Sequence, residues 1–318
     1  MEFKVTKEYA GFRLDVFLRA HFLDFSRAWI QKLIKKGNPA LARKSGTSGK
    51  ITAAYKLRLG DIIEFDMELP PEISLEPDGS LDKKIGILFE NEDFLVVDKP
   101  SGISAHPSQS KMERTIVNWL LFHHPPIKSV GDFHDKENIR PGIVHRLDKD
   151  TSGAMVMAKN QKMFLHLKKQ FQSHAVEKKY IALVNGSPKE DSGKIDFNIA
   201  RSKSDPTKNT AVKSKTEGRQ ALTYWKVLKK YPDHSLLEVM PKTGRMHQIR
   251  VHMKAIGLPV SGDKKYGVKS KDPKHLGRMF LHAEYLSFKN LDGEKMSFSA
   301  PIPEDLANCL RNLQFVIK

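Results

Sequence analysis

The sequence predicts an α+β protein. A large C-terminal domain is built on a central mixed, mainly antiparallel sheet flanked by helices and loops, and a small α/β domain precedes it. Three observations predict this. Short apolar runs of strand character recur at residues 87–90, 94–98, 142–145, 154–158, 179–184, 221–228, 235–240 and 280–288. Hairpin spacings among them outnumber strand–helix–strand units, which argues against a doubly wound sheet. The composition also changes at residues 67–84, where Pro70-Pro71, Pro77, Gly79 and several acids suit an extended linker.

The first segment, residues 1–66, opens with Leu14, Phe17 and Leu18 at helical spacing after Arg13. Ser26 can cap a second helix that carries Ala28, Trp29, Leu33 and Ile34 and ends at Gly37-Asn38. Residues 55–59 alternate like a strand, Gly60-Asp61 turns the chain, and residues 62–65 form another strand. Arg27, Lys32, Lys35 and Lys36 cluster on the second helix, and Arg43 and Lys44 follow it. Residues 85–318 form the large domain. Within it, residues 160–175 read as an amphipathic helix, and 200–219 as a polar, Lys-rich loop long enough to be functional or disordered.

Composition narrows the function classes. Lys plus Arg number 54 against 37 Asp plus Glu, a formal charge of +17, which points to a polyanionic partner with nucleic acid first. No run of 18 apolar residues exists to span a membrane, and the N-terminus lacks the apolar segment of a signal peptide. The single cysteine, Cys309, excludes an internal disulfide and a cysteine-based zinc site. A cytoplasmic setting is expected. His247 and His252 are five apart with no acid or cysteine to complete a ligand set, so no metal is expected.

The stretch with most chemical content is Pro141-Gly142-Ile143-Val144-His145-Arg146-Leu147-Asp148-Lys149-Asp150-Thr151-Ser152-Gly153. In a strand, Arg146 and Asp148 share one face and Leu147 takes the other. The turn formers that follow suggest a loop at the strand's end. A carboxylate beside cations stays ionised, as a nucleophile or base must. The stretch from His145 to Gly153 resembles the signature of the RluA family of pseudouridine synthases, whose catalytic aspartate stands at the position of Asp148.

Four further stretches resemble the same family in the same order. Asp98-Lys99-Pro100-Ser101-Gly102 with His106-Pro107 matches its strand and turn before the catalytic loop. That stretch is expected to be mainly architectural, with Lys99 and His106 near the RNA. Lys178 to Val184 matches the strand bearing an active-site tyrosine, Tyr180. Thr243-Gly244-Arg245-Met246-His247-Gln248-Ile249-Arg250-Val251-His252 matches the arginine motif and assigns that role to Arg250. Phe280-Leu281-His282-Ala283 matches the late strand that supplies an apolar wall, Leu281. Gly262-Asp263 with Tyr266-Gly267 is a weaker match.

The resemblance implies an RNA pseudouridine synthase without a cofactor, with Asp148, Tyr180 and Arg250 as the catalytic set. Arg146, His145, Leu281, Lys99 and His247 are the expected substrate contacts, with Arg146 aiding base flipping and His145 anchoring the loop. The residue types fit that chemistry. Moving ribose from a base nitrogen to carbon 5 needs a carboxylate to attack or stabilise charge. Arg250 would pair with it, Tyr180 would stack on the uracil, and Leu281 would exclude water. Whether the carboxylate attacks base or sugar, or promotes a glycal, stays open.

In the first segment, Arg13-Leu14-Asp15-Val16-Phe17-Leu18, Ser26-Arg27 and Leu59-Gly60-Asp61 resemble the S-four RNA-binding domain. That assigns RNA contacts to Arg13, Arg27, Lys32, Lys35, Lys36, Arg43 and Lys44. The expected partner is a structured RNA, large-subunit ribosomal RNA before transfer RNA. No membrane or obligate protein partner is expected, and the chain is expected to be a monomer. A non-catalytic RNA-binding factor and an RNA glycosidase or nuclease are the rival readings. The intact triad argues against the first, and the lack of a second catalytic carboxylate or metal set against the other.

Overall fold

A computed structural model describes residues 1–22, 27–36, 40–42, 51–68, 75–107, 114–132, 140–202, 205, 207–214, 216–274 and 276–315. The chain divides into two compact units, with residues 1–68 in the first and the described residues from 75 onward in the second.

In the first unit, α1 (Leu14–His21) and α2 (Arg27–Lys35) pair with a small sheet of β1 (Glu2–Lys4), β2 (Ala40–Ala42) and β3 (Ile62–Glu64). Strand β3 lies between the other two, both antiparallel to it. Phe17, Leu18, Trp29, Ile30 and Leu33 of the two helices, at amphipathic spacing, form its buried core with Ile63 of β3. Residues 55–59 do not form the expected strand; a single bridge joins Lys56 to Arg13. The expected cap, Ser26, and the RNA-contact candidates Arg43 and Lys44 lie outside the described residues.

The second unit starts inside the stretch read as an extended linker. Asp78 caps a 3-10 turn over Gly79–Lys84, whose Leu81 is buried in the core of this unit. A hydrophobic residue amid acids and prolines packs here because the turn folds it inward.

Among the described residues, nine strands form one sheet in the order β4-β5-β6-β13-β7-β12-β11-β8, with β14 on β13. They are β4 (Gly86–Glu90), β5 (Phe94–Lys99), β6 (Ser152–Ala158), β7 (Glu177–Asn185), β8 (Ser192–Ile195), β11 (Thr223–Lys230), β12 (His234–Pro241), β13 (Leu281–Lys289) and β14 (Lys295–Ser299). Only β6 and β13 pair in parallel; the other neighbours are antiparallel. The sheet is therefore mixed and mainly antiparallel, as expected. Strands β9 (Asn198–Arg201) and β10 (Asn209–Val212) form a separate hairpin within the Lys-rich stretch.

Helices cover both faces. Helices α3 (Ile116–His123) and α4 (Gln161–Gln172) supply Trp119, Leu120, Phe164 and Leu167 to a core against β5 and β6. On β7, Ala182 and Val184 pack with Ile249 and Met253 of α5 (Gln248–Ala255). The alternate residues Ile181 and Leu183 pack with Leu306 of α6 (Glu304–Phe315). That period of two puts Tyr180 on the α5 face.

Residues 142–145 do not form the expected strand. They carry one bridge, Ile143 to Met157, ahead of an irregular loop. The alternation still holds there, with Arg146 exposed, Leu147 buried and Asp148 half-buried.

Candidate active site

The loop bearing Asp148 is held from both sides. His145 accepts a hydrogen bond at Nε2 from the Val156 amide at 3.0 Å, and its ring stacks on Phe171 at 4.5 Å. Burial pushes the His145 imidazole down to about 3, so it is neutral and its acceptor lone pair is preserved. On the other side the Gly102 amide donates to the Lys149 carbonyl at 2.8 Å, and the Ser101 hydroxyl to the Asp150 carbonyl at 2.9 Å. The chain leaves the loop through Gly153, at φ 118°, where a Cβ would overlap the Ala283 carbonyl of β13. Only glycine allows that approach.

Lys99 is not a substrate contact. It has 0% exposure, and its Nζ donates to the carbonyls of Pro100, Ile103 and Lys149 at 2.8, 2.9 and 3.2 Å. Sequence spacing carries no sign of burial, and a lysine without it reads as an RNA contact. Burial pushes this amine down to about 7, against the opposing pull of Asp148 and Asp150. It ties the turn after β5 to the loop bearing Asp148.

Arg250 lies on α5, 102 residues from Asp148, and donates to it from Nη1 at 2.8 Å. Its Nε and Nη2 are taken by Asp263 at 2.7 and 2.8 Å. The Asp263 side chain has 0% exposure and also accepts from the Lys265 and Tyr266 amides. Burial works against both charges. The Arg250 hydrogen bonds nonetheless keep Asp263 below the usual carboxylate range, and the two carboxylates raise Arg250 above its ordinary value. The Tyr266 ring lies 5.1 Å from the guanidinium carbon. Neither Asp263 nor Tyr266 was expected at the site, although both fall in the weaker family match.

Tyr180 and Leu281, from β7 and β13, line a cavity of about 700 Å³ together with Arg146, Asp148, His247 and Arg250. Burial, and then the charge of Asp148, raise the Tyr180 hydroxyl above its ordinary pKa, so it is neutral. Lys178, in the same motif as Tyr180, also lines this cavity; burial lowers its amine to about 8. A second cavity of about 970 Å³ shares Arg146, Leu147, Asp148, His247 and Arg250 with the first. The loop bearing Asp148 and the start of α5 thus divide two hollows. Exposed Arg146 donates from Nη1 to His106 Nε2 at 3.0 Å, and burial lowers that histidine to about 4, leaving it a neutral acceptor.

The structure therefore brings Asp148, Tyr180, Arg250, Arg146, His145, Leu281 and His247 to one cavity and removes Lys99 from its surface. The RNA-contact candidates of the first unit are spread more loosely. Lys35 and Lys36 are exposed, Lys36 pairs with Glu68 at 3.3 Å, and Lys32 lies over the Trp29 ring at 4.9 Å. The Arg13 guanidinium is engaged bidentately by Asp15 at 3.0 and 3.1 Å. The Arg27 side chain lies outside the described residues. No described helix is long and apolar enough to cross a membrane.

Residues 93–255 match the model of a family described as RNA pseudouridylate synthase. An uncharacterized RNA pseudouridine synthase of Bacillus subtilis is 36% identical over 317 residues, which cover 99% of this chain and 98% of that protein. The ribosomal large subunit pseudouridine synthase D of Borreliella burgdorferi is 39% identical over 92% of this chain and 86% of its own length. That of Haemophilus ducreyi is 32% identical over 98% and 94%. Among solved structures, human RNA pseudouridylate synthase domain containing 1 superposes with a TM-score of 0.58 at 27% identity, covering 76% of this chain and 90% of that one.

Proposed function

This chain belongs to the RNA pseudouridylate synthase family, and we propose that within it Asp148 is the catalytic carboxylate, Arg250 its fixed partner and Tyr180 the stacking ring. The enzyme is an isomerase acting on RNA. In the reaction the bond from ribose C1′ to uracil N1 breaks, the base turns, and C1′ bonds to C5, whose proton leaves as N1 gains one. Nothing is oxidised and no atom is lost. Asp148 attacks or stabilises the electron-poor centre that forms, and Arg250 holds the carboxylate in one rotamer for it. The Tyr180 face and Leu281 keep the detached base in the cavity and water out.

A stacked uridine reaches the cavity only by extrusion, at a cost of a few kcal/mol. Arg146, exposed on the same loop, fills the space the base leaves or stacks on its neighbours. The first unit is an S-four-type RNA-binding domain with Lys32, Lys35 and Lys36 as phosphate contacts. The target is large-subunit ribosomal RNA, in line with the names of the Borreliella and Haemophilus relatives, and the enzyme works in the cytoplasm as a monomer.

The observation that carries this reading is the 2.8 Å contact from Arg250 to Asp148 at a cavity walled by Tyr180 and Leu281. Carbodiimide labelling and primer extension on total RNA test it, comparing cells without the gene with cells carrying wild type or Asp148→Asn. Sites lost without the gene and restored only by wild type support the reading. Sites restored equally by Asp148→Asn overturn the assignment of the carboxylate.

A further inference from the structure

His247 occupies an uncommon position. It precedes α5 with φ 58° and ψ 22°, the left-handed region that a side chain other than glycine enters at some energetic cost. It lines both cavities beside Asp148. Its Nδ1 stands 2.9 Å from the Tyr266 hydroxyl, and that oxygen accepts a hydrogen bond from the Asn209 amide of β10, also at 2.9 Å. Tyr266 is 3% exposed, and its own amide is tied to Asp263.

Proton bookkeeping gives the direction of these bonds. The phenol oxygen already accepts from Asn209, so its one proton is the natural link to Nδ1. A neutral imidazole that accepts at Nδ1 carries its proton on Nε2. The ring is kept neutral by burial first, which lowers its pKa against the attraction of Asp148. Among the described residues Nε2 makes no hydrogen bond.

We propose that Tyr266 is a positioning residue that locks His247 in its Nε2-protonated tautomer, so that the ring offers one N–H donor to an oxygen of the target nucleotide. This rests on the pseudouridine-forming reading and deepens it. The acceptor is uracil O4, beside the C5 that gains the ribose, or the 2′-hydroxyl beside C1′, so both candidates flank the bond that forms. A contact to O4 would also disfavour cytosine, whose exocyclic amine presents a donor to a donor.

The test is a double-mutant cycle on pseudouridine formation by the full-length enzyme with a uridine-containing transcript. Tyr266→Phe keeps the ring on Arg250 and removes only the hydroxyl. It should lower kcat about tenfold, the worth of one oriented hydrogen bond, with KM little changed. His247→Gln retains an amide donor and needs no tautomer lock. On that background Tyr266→Phe should cost less than about twofold in kcat, a penalty that a merely structural role would leave intact. Nitrogen-15 spectra of labelled histidine should show wild-type His247 protonated at Nε2 and a mixture in Tyr266→Phe. Target positions carrying 2′-deoxyuridine or 4-thiouridine then identify the oxygen, because the Tyr266→Phe penalty vanishes with the one that removes it. Wild type protonated at Nδ1, or an undiminished Tyr266→Phe penalty in the His247→Gln background, overturns the proposal. A wild-type enzyme that forms no pseudouridine would instead overturn the functional reading beneath it.

Discussion

Arg250 gives Asp148 a single nitrogen, Nη1 at 2.8 Å, because Asp263 holds the other two. One guanidinium thus bridges a fully buried carboxylate and a half-buried one, and the buried one sets its orientation. Asp263→Asn should lower kcat at least tenfold through a misdirected Arg250. It should also cost on the order of 3 kcal/mol of stability, since a buried charge loses its partner. Urea denaturation and single-turnover kinetics measure the two effects. The pH dependence has a definite sign. Asp263 is lowered in the fold, so its stabilisation is present above its unfolded value of about 4 and is lost as pH falls through the folded value. Asp263→Asn should therefore unfold with less acid sensitivity than wild type.

Lys99 behaves in the opposite chemical sense. Its amine is lowered to about 7 in the fold, against about 10.4 in the unfolded chain. Between those values the unfolded chain binds the extra proton, so the free energy of unfolding rises with pH across that window and levels off below about 7. Lys99→Met should flatten that slope. It should also strip three carbonyls of their donor, at about 1–3 kcal/mol for each one left unpaired. Denaturant melts of both proteins at pH 7 and pH 10 provide the comparison.

The residues proposed for catalysis stand in contiguous motifs, while the contacts that hold them in place leave no such trace in the sequence. Asp148, Tyr180 and Arg250 were identified from separate stretches, and the sheet brings them together. Tyr180 lies on the face of β7 shared by Ala182 and Val184, toward α5. Asp263 and Tyr266 escaped because a pairing 13 residues away leaves no periodic trace. Lys99 was misread because a strand's last lysine looks the same in sequence whether it faces solvent or three carbonyls. The strand expected at 142–145 is absent because the Pro-Gly turn before it and the bridge from Ile143 to Met157 commit the backbone to a loop. The alternation around Leu147 survived, since burial of one side chain between two polar ones needs no ladder.

Tyr180 tests the cavity assignment. In the proposed reaction its ring is the stacking surface, and its neutral hydroxyl relays the C5 proton, passing on its own proton as it accepts that one. Tyr180→Phe should keep RNA affinity and lower kcat by about 10²-fold, the lower end for a proton-transfer group. Tyr180→Leu should lower it further. Filter binding alongside single-turnover rates separates the two contributions, and equal rates for Phe and wild type would leave only stacking.

Arg146 should matter in proportion to the structure of the substrate. Extruding a stacked base costs a few kcal/mol, a cost that an unpaired oligonucleotide largely lacks. Arg146→Ala should therefore slow modification of a folded stem-loop far more than that of a short single strand of the same sequence. Equal losses on both substrates would assign Arg146 to general RNA binding.

The most direct test of the account is release of tritium from C5 of uridine in a transcript, under single-turnover conditions with purified protein. Wild type should release it in step with pseudouridine formation, and Asp148→Asn should bind the RNA normally and release none. Tritium release by Asp148→Asn at the wild-type rate would contradict the central assignment.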